Sequence, residues 1–148
     1  WYIKSFIMIK NKRQGDKWNY DVIRFLAAIF NLEAFNNKNH KTYEISTTKN
    51  TPLDGEGIDV FYRDTVPNYI QRLKVQCKKT MIKGKNTISI DISSLLTMRI
   101  KPGEIPLLFT RMTKKITVKE QVLDELVIMR MEDFKLFLNE YVKSSKGL

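Results

Sequence analysis

Three side chains carry the chemistry that this sequence can support: Asp59 in the run GIDVFY, and Gln76 and Lys78 in LKVQCKK. In an extended strand, residues two apart share a face. Leu73, Val75 and Cys77 therefore turn one way, and Lys74, Gln76 and Lys78 the other. If residues 58–62 run beside residues 70–78, Asp59 comes next to Gln76 and Lys78 on that second face. An acid, an amide oxygen and an ammonium in one place suit phosphodiester hydrolysis. Asp59 and the Gln76 side-chain oxygen, with the Cys77 backbone carbonyl, form the hard oxygen set that Mg²⁺ prefers. A cation held there polarises a phosphate and lowers the pKa of a bound water. Lys78 would orient the attacking water or offset charge developing on the phosphorane oxygens. The competing reading is a surface acid in a hairpin beside the solvated face of an edge strand, where Lys is common.

The composition favours a polyanionic partner. The chain has 148 residues with 26 Lys and Arg against 16 Asp and Glu, a formal charge of +10, and its aromatic share of 11% is that of a foldable chain. This length predicts one domain, 1–148, with a core that needs no disulfide or structural metal, and residues 1–9 as an extended N-terminal segment. The basic residues are spread along the chain and no apolar run nears the roughly 20 residues of a membrane span, so nucleic acid fits better than a bilayer. Cys77 is the single cysteine and His40 the single histidine, which excludes an internal disulfide and a His/Cys metal site and suits a reducing cytoplasm. His40 reads as a surface residue of the polar loop NNKNHKTY. The start WYIKSFIMIK lacks a basic n-region and a small-residue cleavage site, so no targeting signal is expected, and Met8 is a candidate native start.

The elements that must position these residues follow from periodicity and turn chemistry. Lys17 to Asn31 places Trp18, Val22, Phe25, Leu26, Ile29 and Phe30 at helical spacing, with Asp16 as N-cap. KTYEIST is a short strand, and the Pro, Asp and Gly of TKNTPLDGEG mark a loop. Ile58–Tyr62 and Ile70–Lys78 are two strands joined by a polar turn with Pro67 and Asn68, which predicts a hairpin. NTISIDISSLLTMRIK fits either a strand or a helix, and helix is favoured over most of it. GEIPLLFTRM and DELVIMRM are further strands, and EDFKLFLNEYVK is a closing amphipathic helix with Phe134, Phe137, Leu138 and Tyr141 on one face. The order predicts an α/β fold with a mixed five-stranded sheet flanked by helices.

Asp59 followed by Gln76-Cys77-Lys78 resembles the PD-(D/E)xK nuclease pattern, in the variant where Gln replaces the acid of the second half. The flanks are similar too. RQGDKWNYDVIRFL resembles the Arg-x-Gly and acidic first helix of archaeal-type Holliday-junction resolvases and their phage relatives. GEIPLLFTRM resembles their next strand, and ELVIMRMEDFKLFL the closing strand and helix of the phage group, so the similarity spans roughly residues 10–142.

The resemblance implies a restriction-endonuclease-like core and a cytoplasmic, Mg²⁺-dependent endonuclease (Mn²⁺ as the alternative) acting in a phage or prokaryotic host. Its implied substrate is branched or four-way-junction DNA, cut by a homodimer that pairs its nicks by two-fold symmetry. Asp59 and Gln76 are the implied metal ligands and Lys78 the catalytic cation. The first-helix Glu of the family is absent here: Asn19 aligns with it and Asp21 follows, so either completes the site, with Asp54, Glu56 and Glu33 as further acids. Candidate DNA contacts are Lys12, Arg13, Ser46, Thr47, Thr48, Lys49 and Lys79, through ammonium, guanidinium and hydroxyl groups. Two other outcomes stand beside this one: a nuclease of the same pattern acting on ordinary duplex, and a non-catalytic nucleic-acid-binding protein on the same fold.

Overall fold

The computed structural model describes residues 17–49, 51–82 and 88–147, apart from the side chains of residues 141 and 145. The expected N-cap Asp16 lies outside them. Helix α1 (17–30) begins the chain of elements. It buries Trp18, Val22, Ile23, Leu26 and Ala27, the recurring three- and four-residue spacing of a helix with one apolar stripe. Then come β1 (Ile45–Thr47), a 3-10 turn (Pro52–Glu56), β2 (Val60–Tyr62), α2 (Asn68–Gln71), β3 (Leu73–Met81), α3 (Ser93–Thr97), β4 (Ile105–Ile116), β5 (Lys119–Ile128) and α4 (Met131–Lys146). No helix among the described residues is long and apolar enough to cross a membrane.

The fold is α/β, and its five strands fall into two sheets where one was expected. β1 and β2 pair antiparallel, Ile45 opposite Tyr62 and Thr47 opposite Val60. β3 and β4 pair parallel, and β4 and β5 antiparallel, giving a mixed sheet of order β3-β4-β5. The predicted hairpin of residues 58–62 with 70–78 is corrected likewise, since the ladder partner of β2 is β1. Two causes are visible. The ten residues between β2 and β3 hold α2, and the Gln71 side chain fastens this connection by donating to the Asp64 and Val66 carbonyls. Where β2 approaches β3, the Asp59 carboxylate takes the Cys77 N–H, a donor that a strand carbonyl would otherwise receive.

The main core lies between α1 and one face of the β3-β4 pair, with Trp18, Val22, Val75, Cys77, Leu107 and Phe109 among its members. Trp18 Nε1 donates to the Phe109 carbonyl at 3.2 Å, and the Phe25 and Phe109 rings meet edge to face at 6.1 Å. On the other face, α3 lies against β4, and Leu95, Met98, Leu108 and Met112 are buried. Covered on both sides, β4 reads as a continuous apolar run instead of an alternating one.

Two further expectations change. Of the expected helix over 86–101, residues 86 and 87 lie outside the described ones, and residues 88–101 are helical only over Ser93–Thr97, with 88–92 irregular; Asp91 Oδ1 accepts the Ser93 N–H at 2.9 Å just ahead of the helix. α4 forms as predicted, yet its apolar face stays open: Phe134, Phe137 and Leu138 are 42–44% exposed, and Asp133, paired to Arg130, is the buried residue of that helix. A cavity of about 410 Å³ lined by Phe30, Tyr69, Leu73 and Phe137 separates α4 from the body. The Tyr141 side chain lies outside the described residues.

Leu108 is fully buried at the centre of β4. Leu108→Ala is expected to lower unfolding free energy by about 2–5 kcal/mol, read as an earlier midpoint in urea at unchanged slope.

Candidate metal and phosphate site

Asp59 stands at the seam between the two sheets. Its N–H donates to the Val75 carbonyl at 2.8 Å, and its own carbonyl accepts the Thr48 N–H at 3.2 Å. Its Oδ2 accepts the Cys77 N–H at 2.7 Å. The position arises from the turn before it: Gly57, at φ 76°, ends the 3-10 turn in the left-handed region that only glycine enters freely, and redirects the chain into β2. Burial pushes the Asp59 carboxyl above its ordinary range and the charge of Asp54 adds to this; the Cys77 N–H and the charge of Lys78 pull the other way and are outweighed.

Gln76 and Lys78 lie on the face of β3 opposite Val75 and Cys77, as the alternation predicts, with Gln76 half-buried and Lys78 exposed. Gly57 approaches Gln76 so closely that a Cβ there would lie 3.8 Å from the amide nitrogen. Gln76 Oε1 is buried and, among the described residues, has no hydrogen-bond partner. A buried acceptor left without a donor costs about 1–3 kcal/mol. In a strand a residue's N–H and C=O point to the same side, so the Cys77 carbonyl faces the edge where Asp59 sits. The same face is roofed by the 3-10 turn and the α3 region, joined by an Arg99 N–H to Glu56 carbonyl bond of 3.3 Å. The charge of Lys78 helps to lower the Asp91 carboxyl, after the hydrogen bonds from Ser93 that are its main cause.

The first helix is turned elsewhere. Asp21 pairs with Arg111 at 3.0 Å and Arg24 at 3.5 Å. Arg111 also stacks over the Trp18 ring and pairs with Glu125, which places this group on the α1 side of the sheet, away from Gln76 and Lys78. Asn19 is a half-buried residue of α1. Glu33 is engaged by Asn39 and Thr42 in the loop after α1. Asp54 is the acid that acts electrostatically on Asp59, and Glu56 closes the same turn.

The proposed DNA contacts scatter. Thr48 is buried, its hydroxyl donating to the Ile58 carbonyl at 2.5 Å, so it is corrected to a structural residue. The Ser46 hydroxyl donates to the Thr47 carbonyl within β1. Lys79 pairs with Glu120 at 2.6 Å on the α1 side of the sheet. Burial pushes the Glu120 carboxyl up, but hydrogen bonds from Lys79 and Thr113 with the charges of Lys79 and Arg111 hold it below its usual range. Lys49 follows Thr48 on the exposed side of this loop, and Lys12 and Arg13 lie outside the described residues. Cys77 is a core residue, its thiol pushed well up by burial and by the charge of Asp59. The carboxylate near Lys78 that sequence reasoning missed is Asp91. Its only signal was the acid inside NTISIDIS, hidden by the strand-or-helix ambiguity there.

The geometry defines an α/β protein carrying an oxygen-rich edge site with one lysine at its rim. No protein-family model, no curated protein and no solved structure matches this chain.

The folded state holds the Asp59 proton more tightly than the unfolded chain, so this carboxyl costs stability at neutral pH, and the cost is relieved as pH falls through its raised pKa. Asp59→Asn keeps an oxygen for the Cys77 N–H and removes the buried charge. It is expected to melt above the wild type at pH 7, with the gap closing as pH is lowered into the carboxylate range, followed by calorimetry across pH.

Proposed function

We propose that this chain is a metal-dependent DNA endonuclease with a restriction-endonuclease-like core, cutting branched DNA of the four-way-junction kind. The observation that carries the reading is the buried Gln76 Oε1, without a hydrogen-bond partner among the described residues, on the residue that precedes Cys77, whose N–H the Asp59 carboxylate accepts, and two before Lys78, whose charge acts on Asp59. That oxygen fits a cation. Asp59, Gln76 Oε1 and the Cys77 carbonyl are the residues that would hold Mg²⁺ or Mn²⁺, oxygen donors matching either ion. When bound, the ion supplies Lewis acidity at the phosphate and a more acidic water.

The chain's own residues supply the rest. Lys78, exposed on the Gln76 face, brings an ammonium to the phosphate and orients the water. Asp59 must lose its proton to serve as a ligand, so burial makes cation binding strengthen with rising pH. The formal charge of +10 draws the DNA backbone and makes affinity fall steeply with salt. Paired nicks across a junction call for two copies related by two-fold symmetry.

A second reading has its own support: Asp21 is taken by Arg111, which leaves Asp59 as the principal carboxylate for a cation. It makes the chain a DNA-binding protein without cleavage.

Cleavage of a labelled four-way junction beside matched linear duplex, in Mg²⁺, Mn²⁺ or EDTA, decides between them. The expected result is metal-dependent paired nicking of the junction, abolished in Asp59→Asn and slowed about 10²–10³-fold in Lys78→Ala. Cutting of both substrates alike would make it a nuclease of ordinary duplex. Junction binding without cleavage in any metal would leave the binding protein. A readout free of activity accompanies it: Mg²⁺ should raise the melting temperature of the wild type and leave Asp59→Asn and Gln76→Ala unmoved.

A further inference from the structure

The far end of the β4-β5 ribbon breaks two ordinary rules of turn design. Ile116 pairs with Lys119, so the strands are joined by the two residues Thr117 and Val118 alone. Thr117 has φ 56°. A two-residue turn with positive φ at its first position takes glycine there, and a β-branched residue in that conformation is strained. The Thr117 hydroxyl, donating to the Ile116 carbonyl at 2.7 Å, offsets part of this. Beside it Val118 is 89% exposed and Ile116 49%. Such a tip, two aliphatic side chains in water on a strained turn, gains nothing for the fold.

Its surroundings point to one partner. Lys114, Lys115 and Lys119 flank Ile116 and Val118 along the two paired strands, and among the described residues no carboxylate lies within ion-pair distance of any of them. Lys115 stands opposite Glu120, but that carboxylate is turned back to Lys79 and Thr113. An apolar point ringed by cations matches a nucleic acid opened at a base step: the aliphatic groups replace a stacked base and the ammonium groups meet the flanking phosphates. Insertion costs least where stacking is already broken, as at a branch point.

We propose that the Thr117-Val118 tip is a wedge that inserts at the branch point of DNA, with Lys114, Lys115 and Lys119 gripping the phosphates beside it. The proposal rests on the DNA-binding part of the reading above and is independent of cleavage.

The test uses the full chain in EDTA, so that nothing is cut, with a four-way junction carrying 2-aminopurine at the branch point and a linear duplex as reference. Wild type is expected to raise 2-aminopurine fluorescence as the base unstacks. Val118→Ser is expected to lose that rise and bind the junction about tenfold more weakly, with linear duplex unchanged. The pair Thr117→Gly with Val118→Asn gives the turn the residues it prefers, so it should fold at least as stably as wild type and lose the rise equally. Replacing the three lysines by Gln should reduce the slope of log affinity against log salt by about 2–3. The wedge is overturned if the bound wild type leaves fluorescence unchanged, if the tip variants behave as wild type, if DNA is not bound, or if the tip variants only alter self-association in sedimentation. Unstacking without cleavage in Mg²⁺ would keep the wedge and remove the nuclease. Junction cleavage unaffected by the tip variants would do the reverse.

Discussion

Everything near the site hangs on Asp59, because one residue joins the two sheets by three hydrogen bonds. Its N–H reaches Val75 on β3, its carbonyl takes the N–H of Thr48 beyond β1, and its carboxylate takes the N–H of Cys77. The third bond is the unusual one, since a side chain occupies the place of a strand carbonyl and no ladder forms between β2 and β3. A neutral side chain of the same shape would satisfy Cys77 without the desolvation that raises the Asp59 carboxyl. The seam therefore demands an acceptor, and the charge answers to something other than the seam.

The two faces of the β3-β4-β5 sheet differ in how their polar groups are satisfied. On the α1 side, Arg111 is shared among Asp21, Glu125 and the Trp18 ring, and Glu120 between Lys79 and Thr113. Charges there are matched within the chain, as partly buried ions must be if they are not to cost more than they return. On the other side Lys74 pairs with Glu104 at 3.0 Å, while Gln76 Oε1 and Ser94 Oγ are buried without a hydrogen-bond partner among the described residues and Lys78 is exposed. The closed network belongs to packing; on the proposed reading, the orphan Gln76 acceptor of the other face is where a cation would bind.

Much of this was legible in the sequence where a period was long and clean. The helix over residues 17–30 and the facing of Gln76 and Lys78 away from Cys77 follow from spacing alone, and β4 was visible in GEIPLLFTRM. What was hidden depended on partners far along the chain. Pairing of β2 with β1 is decided by the Asp59 carboxylate and the α2 connection, and neither leaves a mark in apolar alternation. The face on which Asp21 lands depends on Arg111, far away in sequence. α4 shows the reverse failure: its apolar stripe is real, yet nothing in the stripe says whether the body will meet it.

Folding pressure alone would remove each of three features found away from the α1 face. Asn in place of Asp59 would keep the Cys77 bond without a buried charge, an aliphatic residue in place of Gln76 would erase an orphan acceptor, and glycine in place of Thr117 would relax the turn. Local rules are otherwise obeyed, from the glycine at φ 76° that turns into β2 to the cation-capped last turn of α4. Sequences that agree with their fold at every level but a few concentrate their exceptions where something else is selected. Here the exceptions are an acid, an oxygen acceptor and an apolar point among lysines, in a chain whose charge is +10. On the proposed reading, a cation would satisfy the first two, and a phosphate backbone with an exposed base would satisfy the third. A polyanion handled both by a cation and by a wedge would account for all three, whereas packing of the hydrophobic core calls for none of them.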